Sequence, residues 1–233
     1  MLSLIDFMAL SEENQKLLAE LIGAFTLVFI GAGAVAINSL FGGSVGLVGI
    51  ALAHGLALMS IIYAFGNISG AHVNPAVTIA MWATKKMNTI ISIKYIASQL
   101  VGAAIAGFLL LFIFGLNGTA HLGVTDLAPN VPLIAGIIIE AVLTFFLVTT
   151  IFGTAVDKRS SGHHAGLAIG LVLTFDILMG GLLTGAAMNP ARAFGPALAS
   201  GYWNNQLVYW IGPIIGGIIA ALIYENAFLK MKK

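Results

Sequence analysis

Long apolar runs, broken by short polar or glycine-bearing links, dominate the chain from Leu17 onward. A helix that crosses a hydrocarbon core of about 30 Å needs about 20 such residues. Six runs meet that length: Leu17 to Ser39, Val45 to Phe65, Ile90 to Leu116, Pro132 to Thr154, His164 to Gly181 and Leu207 to Phe228. Two shorter runs, Asn74 to Thr84 and Asn189 to Ser200, would extend only roughly 16 to 18 Å at 1.5 Å per residue. They reach about halfway and read as re-entrant half-helices, whose irregular approach must be shielded by protein or line a wet cavity. The pattern predicts one all-α membrane domain, residues 1–233, with six transmembrane helices and two half-helices.

Composition strengthens this reading. Only 8% of residues are charged and 59% are hydrophobic, against about 25% charged in soluble domains, so lipid must be the solvent. So few charges exclude a basic nucleic-acid-binding face. The absence of cysteine removes thiolate metal sites and a cysteine nucleophile. Residues 1–6 lack a basic n-region, so the first span is expected to act as its own targeting signal. Lys16, Lys85, Lys86, Lys94, Lys158, Arg159, Lys230, Lys232 and Lys233 fall at one set of span ends, and the links near 40–44, 117–131 and 201–206 hold no Lys or Arg. The positive-inside rule then places both termini in the cytoplasm, with the cell's plasma membrane as the expected location. Arg192 belongs to neither set. It falls within an apolar part of the chain, where a cation is expensive and marks function.

The chain also repeats itself. Glu20-Leu21-Ile22-Gly23-Ala24-Phe25-Thr26 in the first span parallels Glu140-Ala141-Val142-Leu143-Thr144-Phe145-Phe146 in the fourth. Ser69-Gly70-Ala71-His72-Val73-Asn74-Pro75-Ala76 parallels Thr184-Gly185-Ala186-Ala187-Met188-Asn189-Pro190-Ala191 before the half-helices. Residues 1–116 and 130–233 would each hold three spans and one half-helix. An odd number of spans inverts the second copy and brings a site near the midplane. A single Asn-Pro-Ala could be an ordinary helix start, since Asn caps, Pro suits the first helical position and Ala favours helix. Two copies at equivalent places point beyond that.

On the paired Asn74-Pro75-Ala76 and Asn189-Pro190-Ala191-Arg192, the paired Glu20 and Glu140, and Ser69-Gly70-Ala71-His72, the chain resembles the major intrinsic protein, or aquaporin, family over essentially its whole length. It is similar to the aquaporin branch, of microbial or archaeal type. The resemblance implies a passive channel for water that excludes protons and ions. It implies a homotetramer in lipid with one pore per subunit, no cofactor and no enzymatic chemistry. Asn74 and Asn189 would meet where the half-helices abut, each aiming an amide N–H into the lumen, with the carbonyls of Gly70, Ala71, His72, Ala186, Ala187 and Met188 as acceptors for water. Glu20 and Glu140 would accept hydrogen bonds from the backbone of their own re-entrant loops; a proton relay is the competing role.

The same resemblance places a selectivity filter at His54, Ile177, Ala186 and Arg192. Depth agrees: His54 lies roughly 13 Å into its span from one side and Ile177 about 20 Å from the other, which nearly coincide in a core of about 30 Å. The quartet departs from the strict water-channel pattern, which has an aromatic at the place of His54 and a histidine at that of Ile177. It is similar to plant tonoplast aquaporins, so ammonia or another small neutral solute is a further candidate. Ala193 and Ala197 stand where glycerol facilitators carry an acid and a base.

Alternatives remain at the level of the sequence. His54 could sit between helices instead of facing a pore. A small-polyol facilitator is a second reading, and a secondary transporter shares inverted repeats and broken helices. An intramembrane enzyme lacks a paired acid, thiol or metal-ligand cluster. Asp176, beside Ile177, is expected to bond across a helix interface or to orient Arg192. His121 and Asp126 either touch the pore mouth or lie in an inert loop. Lys158, Arg159, His163 and His164 read as an ordinary link.

Overall fold

The computed structural model describes residues 10–117 and 119–229. The expectations for residues 1–6 and for Lys230, Lys232 and Lys233 fall outside these residues. The apolar runs become helices α1 (Glu12–Leu40), α2 (Gly46–Ser69), α4 (Thr89–Phe114), α5 (Leu133–Ile151), α6 (Ala165–Gly180) and α8 (Val208–Ile223), with the half-helices as α3 (Pro75–Ala83) and α7 (Pro190–Ser200). Wider π-helical turns extend α5 over Phe152–Val156 and α8 over Tyr224–Leu229. Among the described residues there is no strand.

Local chemistry explains the boundaries. Ser11 caps α1 and Asn88 caps α4, each through a side-chain oxygen that accepts a first-turn N–H. Asn74 and Asn189 do the same for α3 and α7, with Pro75 and Pro190 in the first helical position. Five helical segments are long and apolar enough to cross a membrane, and the chain is an integral, multi-pass membrane protein. The fifth expected span is shorter than its apolar run. α6 has 16 residues, about 24 Å of helix, and the chain leaves it through a turn that leads directly to the second Asn-Pro-Ala.

α1 packs on α4, α5 on α8, and α2 crosses α6. Each half-helix rests on a long helix of the other half, α3 on α8 and α7 on α4. These contacts bury small residues: Ala19, Gly23, Ala24, Gly31, Ala32 and Ala36 form the inner face of α1. Without a hydrophobic force between helices in lipid, such residues let backbones approach and pack. Large apolar side chains turn the other way, Phe112 being 87% exposed and Ile134 66%. That outer layer suits acyl chains and leaves the polar residues to the middle.

Candidate functional site

α3 and α7, one from each half of the sequence, meet with their N-termini together. Each asparagine makes two kinds of bond there. Asn74 Oδ1 accepts from Ala76 N at 2.8 Å, and its Nδ2 donates to Met188 O at 2.8 Å. Asn189 Oδ1 accepts from Ala191 N at 3.0 Å and Arg192 N at 3.3 Å, while its Nδ2 donates to Val73 O at 2.9 Å. Each side chain thus caps its own half-helix and ties it to the last carbonyl before the other. A carboxamide NH2 carries two hydrogens, so one on each asparagine is left for the cavity that both residues line.

The lead-ins are strained in the same way. Gly70, Ala71 and Val73 have φ of 90°, 47° and 43°, and Gly185, Ala186 and Met188 have 80°, 47° and 52°. Left-handed backbone costs roughly 1–2 kcal/mol for a non-glycine residue, so something must hold it. Glu20 and Glu140 supply the anchor. Both are fully buried. Glu20 accepts from Ser69 Oγ (2.7 Å), His72 N (2.9 Å), Val73 N (2.7 Å) and Gln99 Nε2 (2.7 Å). Glu140 accepts from Thr184 Oγ1 (2.6 Å), Ala187 N (3.0 Å) and Met188 N (2.7 Å). Hydrogen bonds to an ionised group contribute about 1.5–3 kcal/mol each, enough to offset the strain of each loop.

A cavity of about 560 Å³ follows this junction. On the side of the termini it begins at Ser161, Gly162 and His163; it passes Gly70, Ala71, His72, Val73, Asn74 and Asn189, and reaches His54 and Arg192. His54 and Arg192 touch. Arg192 Nε donates to His54 Nε2 at 3.3 Å, which makes Nδ1 of His54 the protonated nitrogen, donating to Ile50 O at 2.9 Å. The imidazole also rests on α1, where a Cβ at Gly31 would come within 2.3 Å of Nε2. The interhelical and the cavity-facing readings of His54 therefore hold together. Arg192 is 2% exposed, its Nη1 donates to Gly123 O at 2.7 Å, and no carboxylate among the described residues lies within 4.0 Å of it.

Several expectations need amendment. Ile177 and Ala186 are buried but do not line this cavity, unlike His54 and Arg192. Met188 does not line it either: its carbonyl is engaged by Asn74, and Ala187 lines the cavity on that side. Asp176 neither bonds across an interface nor orients Arg192; it is fully buried and both its carboxyl oxygens lack a hydrogen-bond partner among the described residues. One turn further along α6, Gly180 lies against Leu143 and Ala186, an apolar setting. The loop of His121 and Asp126 is not inert, since both residues are tied to Tyr202. Nor is the 157–164 link ordinary, because it forms the cavity mouth.

Sequence reasoning missed the supports. Thr78 Oγ1 donates to Asn74 O and accepts from Gln99 and His72 Nδ1. Tyr95 and Tyr209 donate to Ser69 O and Thr184 O. A signal existed for Gln99, a lone carboxamide inside an apolar span. None existed for Gly123.

Two half-helices joined through asparagine side chains beside a polar-lined cavity, inside a shell of apolar helices, define a membrane channel fold. The family model for Major intrinsic protein matches residues 8–224, and the chain belongs to that family. It is 43% identical over 223 residues to Aquaporin TIP4-4 of Zea mays, covering 92% of this chain and 87% of that one. It is 41% identical over 237 residues to Aquaporin AqpM of Methanothermobacter thermautotrophicus, covering 91% and 96%. The X-ray structure of the aquaglyceroporin from Plasmodium falciparum superposes with a TM-score of 0.80 at 27% identity, covering 92% and 96%.

Proposed function

We propose that the protein is a passive water channel, with ammonia or another small neutral solute as a second permeant and with protons and ions excluded. The observation that carries this is the cavity running past both asparagine amides between the two abutting half-helices. A water there places its oxygen against the free amide hydrogens, so its own hydrogens point along the file in both directions. Carbonyls of Gly70, Ala71, His72 and Ala187 replace the bonds it has lost. Both half-helix N-termini face the junction, each with about half a positive charge, and Arg192 adds a full one. Cations are repelled on electrostatic grounds, while a neutral molecule pays only for dehydration. Pore width, lining donors and such barriers are the general terms of aquaporin-type selectivity.

In this reading His54 and Arg192 form the filter, without Ile177 and Ala186. Residues 1–116 and 130–233 are inverted repeats, and four copies assemble in lipid, each with its own pore. The basic residues flanking the 83–94 and 157–164 links support cytoplasmic termini, and the plasma membrane is the location to test by fractionation. Names of the plant and archaeal relatives support water as the permeant.

Reconstituted liposomes test the function. Shrinkage under an osmotic gradient is expected to show a low activation energy and no saturation; saturable flux with a high activation energy would indicate a carrier instead. Arg192→Ala is expected to raise proton leak and change the solute ratio. Water flux and proton exclusion both untouched by that change would remove Arg192 from the filter.

A further inference from the structure

Arg192 is held by a carbonyl that the chain delivers at some conformational expense. Ala120, His121, Leu122 and Gly123 all have positive φ, 46°, 51°, 63° and 73°. This single left-handed turn, capped by Thr119 Oγ1 on Leu122 N, brings Gly123 O to Arg192 Nη1 at 2.7 Å. Leu122 is fully buried, and a Cβ on Gly123 would lie 2.3 Å from Ala32 O on α1. L-residues rarely form such a run, so it must be fixed from outside.

The fixing points lie just past the far end of α7, the helix whose first turn carries Arg192. The His121 ring stacks on Tyr202 with centroids 4.1 Å apart and planes 12° from parallel. Tyr202 donates its hydroxyl to Asp126, and Asn204 Nδ2 donates to that hydroxyl at 2.8 Å. Asn205, itself at φ 53°, donates Nδ2 to Asp126 Oδ1 at 2.7 Å. Residues 119–127 therefore run along α7 as a strap, joined to Arg192 near its start and to Tyr202 and Asn205 beyond its end. Between Gly123 and Asp126 there are three extended steps, which span at most about 10 Å. So short a piece has little slack, and a displacement at Asp126 reaches Gly123.

We propose that Asp126, Tyr202 and Asn205 are positioning residues for the filter: by clamping this strap they hold the Gly123 carbonyl, and through it the Arg192 guanidinium, in the place that sets which solutes pass. This rests on the filter reading of Arg192. Loss of the clamp lets the guanidinium swing from the constriction and widens it.

The test is the ratio of glycerol to water permeability of purified protein in liposomes. A merely structural defect lowers both permeabilities and leaves the ratio alone. Asp126→Ala and Tyr202→Phe are expected to raise the ratio about two- to thirtyfold, the usual reach of coupling between connected sites. Tyr202→Phe removes one oxygen and keeps the ring on His121, so folding is spared. Asp126→Asn keeps an oxygen to accept from Asn205 and turns its amide N–H toward the Tyr202 oxygen, reversing that bond without losing it, and is expected to keep a ratio near that of the parent chain. If Arg192→Ala changes the ratio while Asp126→Ala and Tyr202→Phe do not, burial of Leu122 alone holds Gly123 and the clamp is overturned with the filter intact. An unchanged ratio in Arg192→Ala would overturn the filter reading and the clamp with it.

Discussion

Glu20 and Glu140 do one job in two places, and they do not do it equally. Each receives a hydroxyl and two backbone N–H groups from the loop before its half-helix. Tyr95 and Tyr209 then bind the carbonyls of Ser69 and Thr184. The first carboxylate has a further donor, Gln99, one turn beyond Tyr95; one turn beyond Tyr209 stands Pro213, which has no side-chain donor. A second contrast follows. Ile61, as far before Ser69 as Asp176 is before Thr184, packs near Gly23 and Val73 in an apolar contact, whereas Asp176 presents two oxygens without a partner among the described residues to an equally closed interior. The first brace has one donor more, although Gln99 Oε1 itself has no partner among the described residues, and the second half holds the unpartnered carboxyl. The second half also carries Arg192, the proposed filter cation, so the unpartnered carboxyl and the proposed filter share one half, in keeping with function drawing on stability.

The largest expected effect comes from removing the carboxylates. Glu20→Ala leaves four donors without an acceptor and Glu140→Ala leaves three. An orphaned buried polar group costs about 1–3 kcal/mol, so each variant should lose more than about 3 kcal/mol, Glu20→Ala the more by about one such bond. Thermal unfolding in detergent reads both. Equal losses, or the reverse order, would break the contrast between the two braces.

Asp176→Val tests the other side of it. Giving the second half the apolar contact of the first should stabilise the protein, because an unpaired buried polar group costs about 1–3 kcal/mol and valine is close to aspartate in size. A higher unfolding temperature with unchanged water flux is the expected outcome. A lower one would mean that Asp176 has a partner in the membrane that the packed helices alone do not provide.

These contrasts also mark where sequence reasoning stops. The spans were legible because lipid demands about 20 apolar residues whatever the fold, and the paired Asn-Pro-Ala because a capped helix start has a local signature. Glu20 and Glu140 stood out as carboxylates in apolar runs. Which donors reach them was not legible. Gln99 lies 79 residues from Glu20, and its bond exists only once α4 has packed on α1. Gly123 gave no sign of serving Arg192, since the left-handed turn that aims its carbonyl is held by tertiary contacts of His121, Leu122 and Asp126 and not by a local preference. Asp176 was visible as unusual, but its lack of partners is a property of the packed interior.

The smallest effect concerns the links that join the first two spans of each half. Phe41 to Val45 in the first half carries no charge, whereas the second half has Asp157 bound by Arg159 through Nε at 2.9 Å and Nη2 at 2.6 Å, with Tyr224 Oη at 3.3 Å. Arg159 Nη2 also reaches Phe228 O at 3.1 Å, so the pair ties the cavity mouth to the end of α8. The guanidinium holds the Asp157 carboxyl well below the usual carboxylate range. A depressed value stabilises the folded state above the unfolded value of about 3.9, and that contribution is lost as pH falls below it. The hydrogen-exchange protection of residues 157–164, taken relative to the intrinsic exchange rate at each pH, should therefore fall in acid below about pH 4, while residues 41–45 should show no such pH-dependent loosening. Asp157→Asn should have lower protection already at neutral pH and lose the further fall in acid. Because the Arg159 side chain is 61% exposed, salt should shrink the difference. Matching acid sensitivity in both links would show that the ion pair does not hold the mouth, and would make the two halves more alike than their charges suggest.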